Sequence, residues 1–110
     1  IKMRTLLLAL LFTTFSYGQD LSIVHFNYKW NTQNQFRNLE RLKDVKVQYA
    51  YVEEQGDAIQ NSIKAAPTII LYKNGRPVAK FEANLSMRIQ ETLDEIQEVI
   101  NRHKSARKET

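Results

Sequence analysis

The stretch that most constrains the fold is residues 65–75, which reads Ala-Ala-Pro-Thr-Ile-Ile-Leu-Tyr-Lys-Asn-Gly. Pro67 disfavours helix in the residue before it, so any preceding helix is expected to end there. Residues 68–72 form a continuous apolar run, which is typical of a central strand buried on both faces. Asn74-Gly75 is the strongest short signal for a β-hairpin. The return strand is predicted at residues 78–83, with the preceding proline suited to a sheet edge.

Two further strands and a helix are predicted upstream of this stretch. Residues 22–28 and 45–52 alternate apolar with polar residues and are rich in β-branched and aromatic side chains. Between them, a helix is predicted from Thr32, where the sequence Thr-Gln-Asn-Gln fits a capping box, to Lys43-Asp44. Asn31 is an equally good cap. This helix would carry three apolar residues on one face, namely Phe36, Leu39 and Leu42.

Two more helices complete the predicted order. Gly56-Asp57 opens a short helix that ends before Pro67. A longer helix is predicted over residues 85–103, capped by Ser86, because apolar residues repeat at spacings of four, three and four. The order β-α-β-α-β-β-α predicts an α/β fold, in which a mixed four-stranded sheet has helices on both faces.

The first eighteen residues have the three parts of a secretory signal peptide. Lys2 and Arg4 supply the positive charge, an apolar run follows, and Ser16-Tyr17-Gly18 places small residues at the cleavage site. The run is too short to span a bilayer as a helix. The sequence therefore predicts a secreted or periplasmic protein with no stable membrane anchor after cleavage, a domain over residues 19–104 and a polar tail over 105–110. The alternative is an N-terminal helix or strand buried in the domain itself.

Charge and composition exclude several classes of function. The net charge is +4, and without Lys2 and Arg4 it falls to +2, which is too weak to predict a nucleic-acid partner. The sequence has no cysteine, which excludes a disulfide, a thiolate nucleophile and a thiolate metal site. His25 and His103 are far apart with no convincing ligand spacing around them, so no metal and no cofactor is expected. The pair Glu53-Glu54 is expected to be solvated.

Three segments together resemble the thioredoxin family, in a short form without the usual N-terminal strand and helix. Residues 26–34, Phe-Asn-Tyr-Lys-Trp-Asn-Thr-Gln-Asn, lie over the strand end, the tryptophan and the Cys-x-x-Cys motif of that family. Residues 66–75 lie over the segment after its cis-proline. Residues 83–86 lie over the entry to its last helix. The resemblance covers most of the chain after residue 21 and implies the thioredoxin fold.

The same resemblance implies that the redox chemistry is lost. Asn31 and Asn34 stand at the two cysteine positions, Trp30 at the adjacent tryptophan and Pro67 at the cis-proline that faces them. His25 stands where the family often has a buried aspartate that assists proton transfer. Disulfide exchange requires an attacking thiolate and a resolving thiol, and a carboxamide is neither. Asn31 is instead expected to cap the helix that follows it.

The leading hypothesis is therefore a redox-inactive module that binds extended protein segments or a dedicated protein partner beside the cis-proline. One alternative is a cysteine-free, glutathione-dependent transferase-like enzyme, with Thr32 or Tyr28 supplying the hydroxyl. Another is a structural subunit of a complex. The predicted binding residues are Trp30, Asn31, Thr32, Asn34, Ala66, Pro67 and Thr68.

Overall fold

The computed structural model describes residues 21–108, with side chains described through Lys104. Its four strands form one sheet in the order β2-β1-β3-β4. β1 pairs with β2 in parallel, and β3 is antiparallel to both β1 and β4. The predicted signal peptide lies outside the described residues. The strands are β1 Leu21–Asn27, β2 Lys46–Tyr51, β3 Thr68–Lys73 and β4 Arg76–Glu82.

All four strands lie within one or two residues of their predicted positions. The hairpin between β3 and β4 is confirmed: Asn74 (φ 53°) and Gly75 (φ 83°) both have positive φ, as a type I′ turn requires. β4 is an edge strand, which accommodates Pro77 because its missing N–H removes no bond from an inner ladder.

The predicted first helix is wrong. The chain forms two short 3₁₀ helices instead, η1 (Lys29–Asn34) and η2 (Leu39–Arg41), separated by Asn38 in the left-handed region (φ 67°). In a helix that starts at Thr32, the Phe36 N–H would bond to a carbonyl one turn earlier. It instead donates to Nε2 of His25 in β1 at 3.0 Å. This contact between distant residues replaces a helical hydrogen bond.

The last helix begins eight residues later than predicted. α2 (Leu93–Lys108) is preceded by a capping box, in which the Thr92 N–H donates to Glu95 Oε1 at 2.9 Å and the Glu95 N–H donates to Thr92 Oγ1 at 3.1 Å. Ser86 is therefore not its cap, and Ile89 forms a β-bridge with Ala83 rather than a helical turn. The helix also continues past its predicted end at His103. The short helix α1 (Asp57–Ser62) is where it was predicted.

The sheet carries an apolar cluster on each face, as a sheet covered by helices on both faces requires. One cluster packs α2 and the η2 segment against β1, β3 and β4. The other packs the segment around α1 and a third 3₁₀ helix, η3 (Val52–Glu54), against β1 and β3. No helix within residues 21–108 is long and apolar enough to cross a membrane. The buried residues of the larger cluster are Leu21, Ile23, Leu39, Leu42, Ile69, Leu71, Phe81, Ile96 and Ile100.

Candidate functional site

Three asparagines form a hydrogen-bonded group, here named the asparagine cluster, that consists of Asn27, Asn31 and Asn34. Asn27 Nδ2 donates to the backbone oxygen of Asn31 at 2.9 Å, and Asn31 Nδ2 donates to Asn27 Oδ1 at 3.0 Å. Asn34 Nδ2 donates to Asn31 Oδ1 at 2.6 Å. Asn31 Nδ2 also reaches the carbonyl oxygen of Ala66 at 3.4 Å, which is a long, weak bond. The cluster therefore connects β1, η1 and the turn before β3.

Asn31 is buried completely, at 0% exposure, in the centre of this cluster. A buried carboxamide is tolerated when its donors and its acceptor are paired, as they are here. The prediction that Asn31 caps a helix is wrong. The residue before η1 is Tyr28, no side chain caps η1, and Asn31 itself has non-helical φ and ψ of −114° and 23°. Its carboxamide instead holds neighbouring segments together.

The turn before β3 contains a cis peptide bond between Ala66 and Pro67. The Pro67 carbonyl accepts a hydrogen bond from the Ala83 N–H at 3.1 Å, which ties the turn to the end of β4. Thr68 Oγ1 donates to the Ala65 carbonyl at 2.7 Å, and Thr68 is 0% exposed. The turn is thus fixed by hydrogen bonds on both sides of the proline.

The loop over residues 84–88 is closed by hydrogen bonds to its first residue. Asn84 Oδ1 accepts from the N–H groups of Ser86 at 2.8 Å and Arg88 at 3.1 Å, and the Asn84 N–H donates to the Arg88 carbonyl at 2.8 Å. Met87 has a φ of +62°, which is uncommon for a residue with a side chain. Leu85 at the tip is fully exposed. The loop therefore presents an apolar residue on a backbone fixed by local hydrogen bonds.

A surface cavity of about 330 Å³, here named the cis-proline groove, is lined by residues 33–37, Pro67 and residues 87–89. Asn34 Nδ2 donates to Met87 Sδ at 3.7 Å, which links η1 to the loop across the groove. The groove thus brings together three segments that are distant in sequence.

Trp30 is exposed beside the asparagine cluster, at 61% of its surface. Its ring stacks on Tyr28, with centroids 5.6 Å apart and planes 17° apart.

Both glutamates of the pair predicted to be solvated bind Lys29: Glu53 accepts from its backbone N–H at 3.1 Å, and Glu54 lies 2.9 Å from its Nζ. The hydrogen bond and charge of Glu54 raise the pKa of Lys29. The acidic pair therefore fixes the entry to η1.

His25 lies 2% exposed beneath the segment that follows η1. Its Nε2 accepts the Phe36 N–H, so this nitrogen carries no proton, and its ring packs 5.3 Å from that of Tyr49. Burial lowers the pKa of His25 to about 4, which keeps the imidazole neutral near pH 7. His25 is therefore a hydrogen-bonded histidine of β1.

A second cavity of about 240 Å³ lies between η1 and β2. Thr32 lines this cavity and not the cis-proline groove, and Tyr28 stacks on Trp30. The hydroxyls named for a glutathione-dependent alternative therefore do not lie together in the groove. Within residues 21–108, no group of three His, Asp or Glu side chains is placed to hold a metal ion.

The structure brings four of the predicted site residues together. Asn31, Asn34 and Ala66 are connected by hydrogen bonds, and Asn34 and Pro67 line the same groove. Thr68 is buried behind the turn.

Sequence reasoning missed three residues of this region, namely Asn27, Met87 and Arg88. Asn27 had a usable signal, because a polar residue at the end of a buried strand needs a partner and Asn31 follows four positions later. Met87 and Arg88 were assigned to a helix, so their place beside the proline was not anticipated. The capping-box sequence from Thr92 to Glu95 would have corrected that assignment.

No protein-family model matches this chain, and no curated protein matches it either. Solved structures do match. Thioredoxin-2 of the malaria parasite, described as a component of its protein secretion machinery, aligns with a TM-score of 0.60 at 18% identity, over 80% of this chain and 87% of that one. The fold is thioredoxin-like. A mutant thioredoxin from Halobacterium salinarum has a TM-score of 0.59 at 18% identity, over 77% and 75% of the two chains.

A third match has the same thioredoxin-like fold. The solution structure of oxidised thioredoxin from Plasmodium falciparum has a TM-score of 0.52 at 17% identity, over 77% of this chain and 82% of that one. At these identities the likeness establishes the fold and not the activity. The thioredoxin-like fold of this chain is combined with a sequence that has no cysteine.

Proposed function

We propose that this chain is a redox-inactive member of the thioredoxin family that binds an extended protein segment in the cis-proline groove. In this proposal Asn31 and Asn34 occupy the two cysteine positions of the family. Thiol–disulfide exchange needs a thiolate to attack a sulfur and a second thiol to resolve the product, and carboxamides do neither. The protein would therefore bind a partner without thiol–disulfide exchange.

The asparagine cluster is the observation that carries this proposal. Its members pair with one another and with the carbonyl of Ala66, so hydrogen bonds connect η1 to the proline turn although the chain has no cysteine. Burial of Asn31 requires such pairing, and the same hydrogen bonds hold η1 next to the proline turn. The retained architecture favours binding as the remaining function.

The exposed side chains around the groove support an extended protein ligand. Trp30, Leu85 and Met87 are exposed apolar residues on two of the segments that flank the proline turn. Large aromatic and apolar side chains of this kind anchor protein interfaces. In this proposal an extended segment lies beside the half-buried Ala66 and pairs with backbone there, as in strand-addition recognition. Asn31 and Thr68 are buried, so we assign them positioning roles and leave contact to the exposed residues.

The proposal places this binding outside the cytoplasm, because residues 1–18 have the pattern of a secretory signal peptide. Expression of the chain in a secreting host and mass spectrometry of the product test this part. A mature N-terminus at Gln19 is the expected result. Retention of an uncleaved chain inside the cell would contradict it.

An unbiased peptide-display library tests binding directly. The intact protein should recover a reproducible pool of peptides, and Trp30→Ala should weaken their binding by at least about tenfold, the loss expected for an interface anchor. Tyr49→Ala is the matched control, because Tyr49 is an aromatic residue with 51% exposure on β2, which contributes no residue to the groove. Trp30 itself does not line the groove, but it lies on η1, which contributes Gln33 and Asn34 to it.

Two outcomes would count against the proposal. If the folded wild-type protein recovered no pool of peptides, the proposal that it binds peptides would be wrong. Equal loss of binding in Trp30→Ala and Tyr49→Ala would show that binding does not depend on the groove. A single stoichiometric partner in a native pull-down would select a dedicated partner, whereas many bound proteins would select a general binder of extended segments.

A further inference from the structure

We infer that the segment bound in the cis-proline groove is acidic, with carboxylate side chains interspersed among apolar ones; this inference rests on the proposed function. Arg37 and Arg88 both line the groove, one from the segment after η1 and the other from the loop that faces it. The two arginines therefore belong to different walls of one cavity. A chain laid along the groove would pass between them.

Both arginines are available to a ligand. Each is exposed, and within the part of the chain that the structure describes neither guanidinium has a carboxylate partner or a hydrogen bond. Three lysines, in contrast, are paired with acids of this chain: Lys29 with Glu54, Lys80 with Glu82 and Lys104 with Asp44. Within residues 21–104, no carboxylate of this chain therefore compensates the two positive charges at the groove.

No acidic residue is among those that line the groove. Glu82 of β4 lies opposite Thr68 of β3, and its Oε2 forms an ion pair with Lys80 Nζ at 3.7 Å. Arginine binds carboxylates through a planar pair of N–H donors, which gives both geometry and strength to the contact. The groove is therefore complementary in charge to aspartate and glutamate and unfavourable to lysine.

The apolar part of the inference comes from the same walls. Met87 and Phe36 line the groove together with the two arginines, and Leu85 is exposed next to it. An extended chain points successive side chains to opposite sides. Each wall of the groove has one arginine beside one apolar residue, so a segment that carries both acidic and apolar side chains could contact both kinds of residue on either side.

Sequencing of the peptide pool described above tests this inference. The wild-type pool should be enriched about threefold or more in Asp and Glu over the input library. The double variant Arg37→Gln/Arg88→Gln should recover a pool without that enrichment. Arg76→Gln is the matched control, because Arg76 is an exposed arginine in the hairpin at the opposite end of β3 from Pro67, and its pool should match the wild-type pool.

Affinity for one enriched acidic peptide gives the magnitude. Each single arginine variant should weaken binding about threefold and the double variant about tenfold, which is the range for partly exposed ion pairs. The difference should shrink at high salt, where screening shortens the reach of such charges. A wild-type pool of unchanged composition, or one unaffected by the double variant, would overturn the inference and leave the proposed function standing. Recovery of no pool at all would overturn both.

Discussion

The core of the sheet and the centre of the asparagine cluster are both buried, yet they are held by different forces. Ile23 and Ile69, at 0% exposure, pack in an apolar cluster whose contacts have no preferred direction. Asn31, also at 0% exposure, is held by hydrogen bonds that work only in a narrow geometry. The comparison indicates that the core supplies most of the stability, whereas the cluster determines the shape of the site.

Removal of a core side chain should give the largest loss of stability. Ile69→Ala deletes buried methyl groups and leaves a cavity, so the free energy of unfolding should fall by about 2–5 kcal/mol. Urea denaturation monitored by circular dichroism measures this. Val78→Ala is the control, because Val78 is 38% exposed on β4 and its truncation should change stability by about 0.5 kcal/mol or less.

Acidification should destabilise the fold through His25, which is buried beneath the segment that follows η1. His25 has a pKa lowered to about 4 when folded and an ordinary value of 6.5 when unfolded. Between these values the unfolded chain binds more protons, so stability is fully present above pH 6.5 and is lost as pH falls toward 4. The loss should be on the order of 3 kcal/mol, because one pKa unit corresponds to about 1.4 kcal/mol.

Comparison with variants isolates this effect from that of other groups. Unfolding free energies measured from pH 7 to pH 4 should fall less steeply for His25→Gln than for the wild type. His103→Gln is the comparison variant: burial and the charges of Lys73 and Arg102 also lower the pKa of His103, but this residue is only half-buried on α2, so its replacement should change the profile less than His25→Gln does. Identical pH profiles for the wild type and His25→Gln would contradict the assignment.

Disruption of the asparagine cluster should cost less than the core substitution. Asn31→Ala removes the carboxamide that bonds Asn27 Oδ1, Asn34 Nδ2 and the Ala66 carbonyl, which should lower the free energy of unfolding by about 1–3 kcal/mol. Asn61→Ala, at an exposed position of α1, should be close to neutral. If Asn31→Ala destabilised the protein more than Ile69→Ala, the proposed division between core and cluster would be reversed.

The smallest change in stability should come from the residue expected to matter most for binding. Trp30 is 61% exposed and contacts Tyr28 on one face, so Trp30→Ala should change the free energy of unfolding by about 0.5 kcal/mol or less. The same urea experiment measures it. A large loss would mean that Trp30 supports the fold, and the binding test above would then need a milder variant such as Trp30→Phe.

The strands were predictable because their signals are local. Continuous or alternating apolar runs and one Asn-Gly pair specify β1 to β4, and these patterns depend on few distant partners. The first helix was not predictable in this way. Phe36, Leu39 and Leu42 are spaced by three, which fits 3₁₀ turns as well as an α-helix, and their burial was predicted although their conformation was not.

The candidate site was predicted in part for a related reason. The positions of Asn31, Asn34 and Pro67 followed from a resemblance in short motifs, and the hydrogen bonds and the shared groove bring these residues together. The role of Asn31 depends on Asn27 and Ala66, and the shape of η1 depends on the acceptor at His25. Side-chain contacts between distant residues decide such details, and no local pattern records them.

The 2.6 Å contact between the Asn34 and Asn31 carboxamides has a consequence for how the protein responds to its surroundings. Two thiols at these positions would form or break a disulfide, and so change the local geometry, whenever the concentration of glutathione or peroxide changed. Two carboxamides take no part in thiol–disulfide exchange, so the hydrogen bond between them does not depend on the thiol–disulfide potential of the medium. Under the proposed function, the affinity of this chain for its ligand would therefore not depend on thiol–disulfide exchange, and titration with a thiol reductant would leave that affinity unaltered.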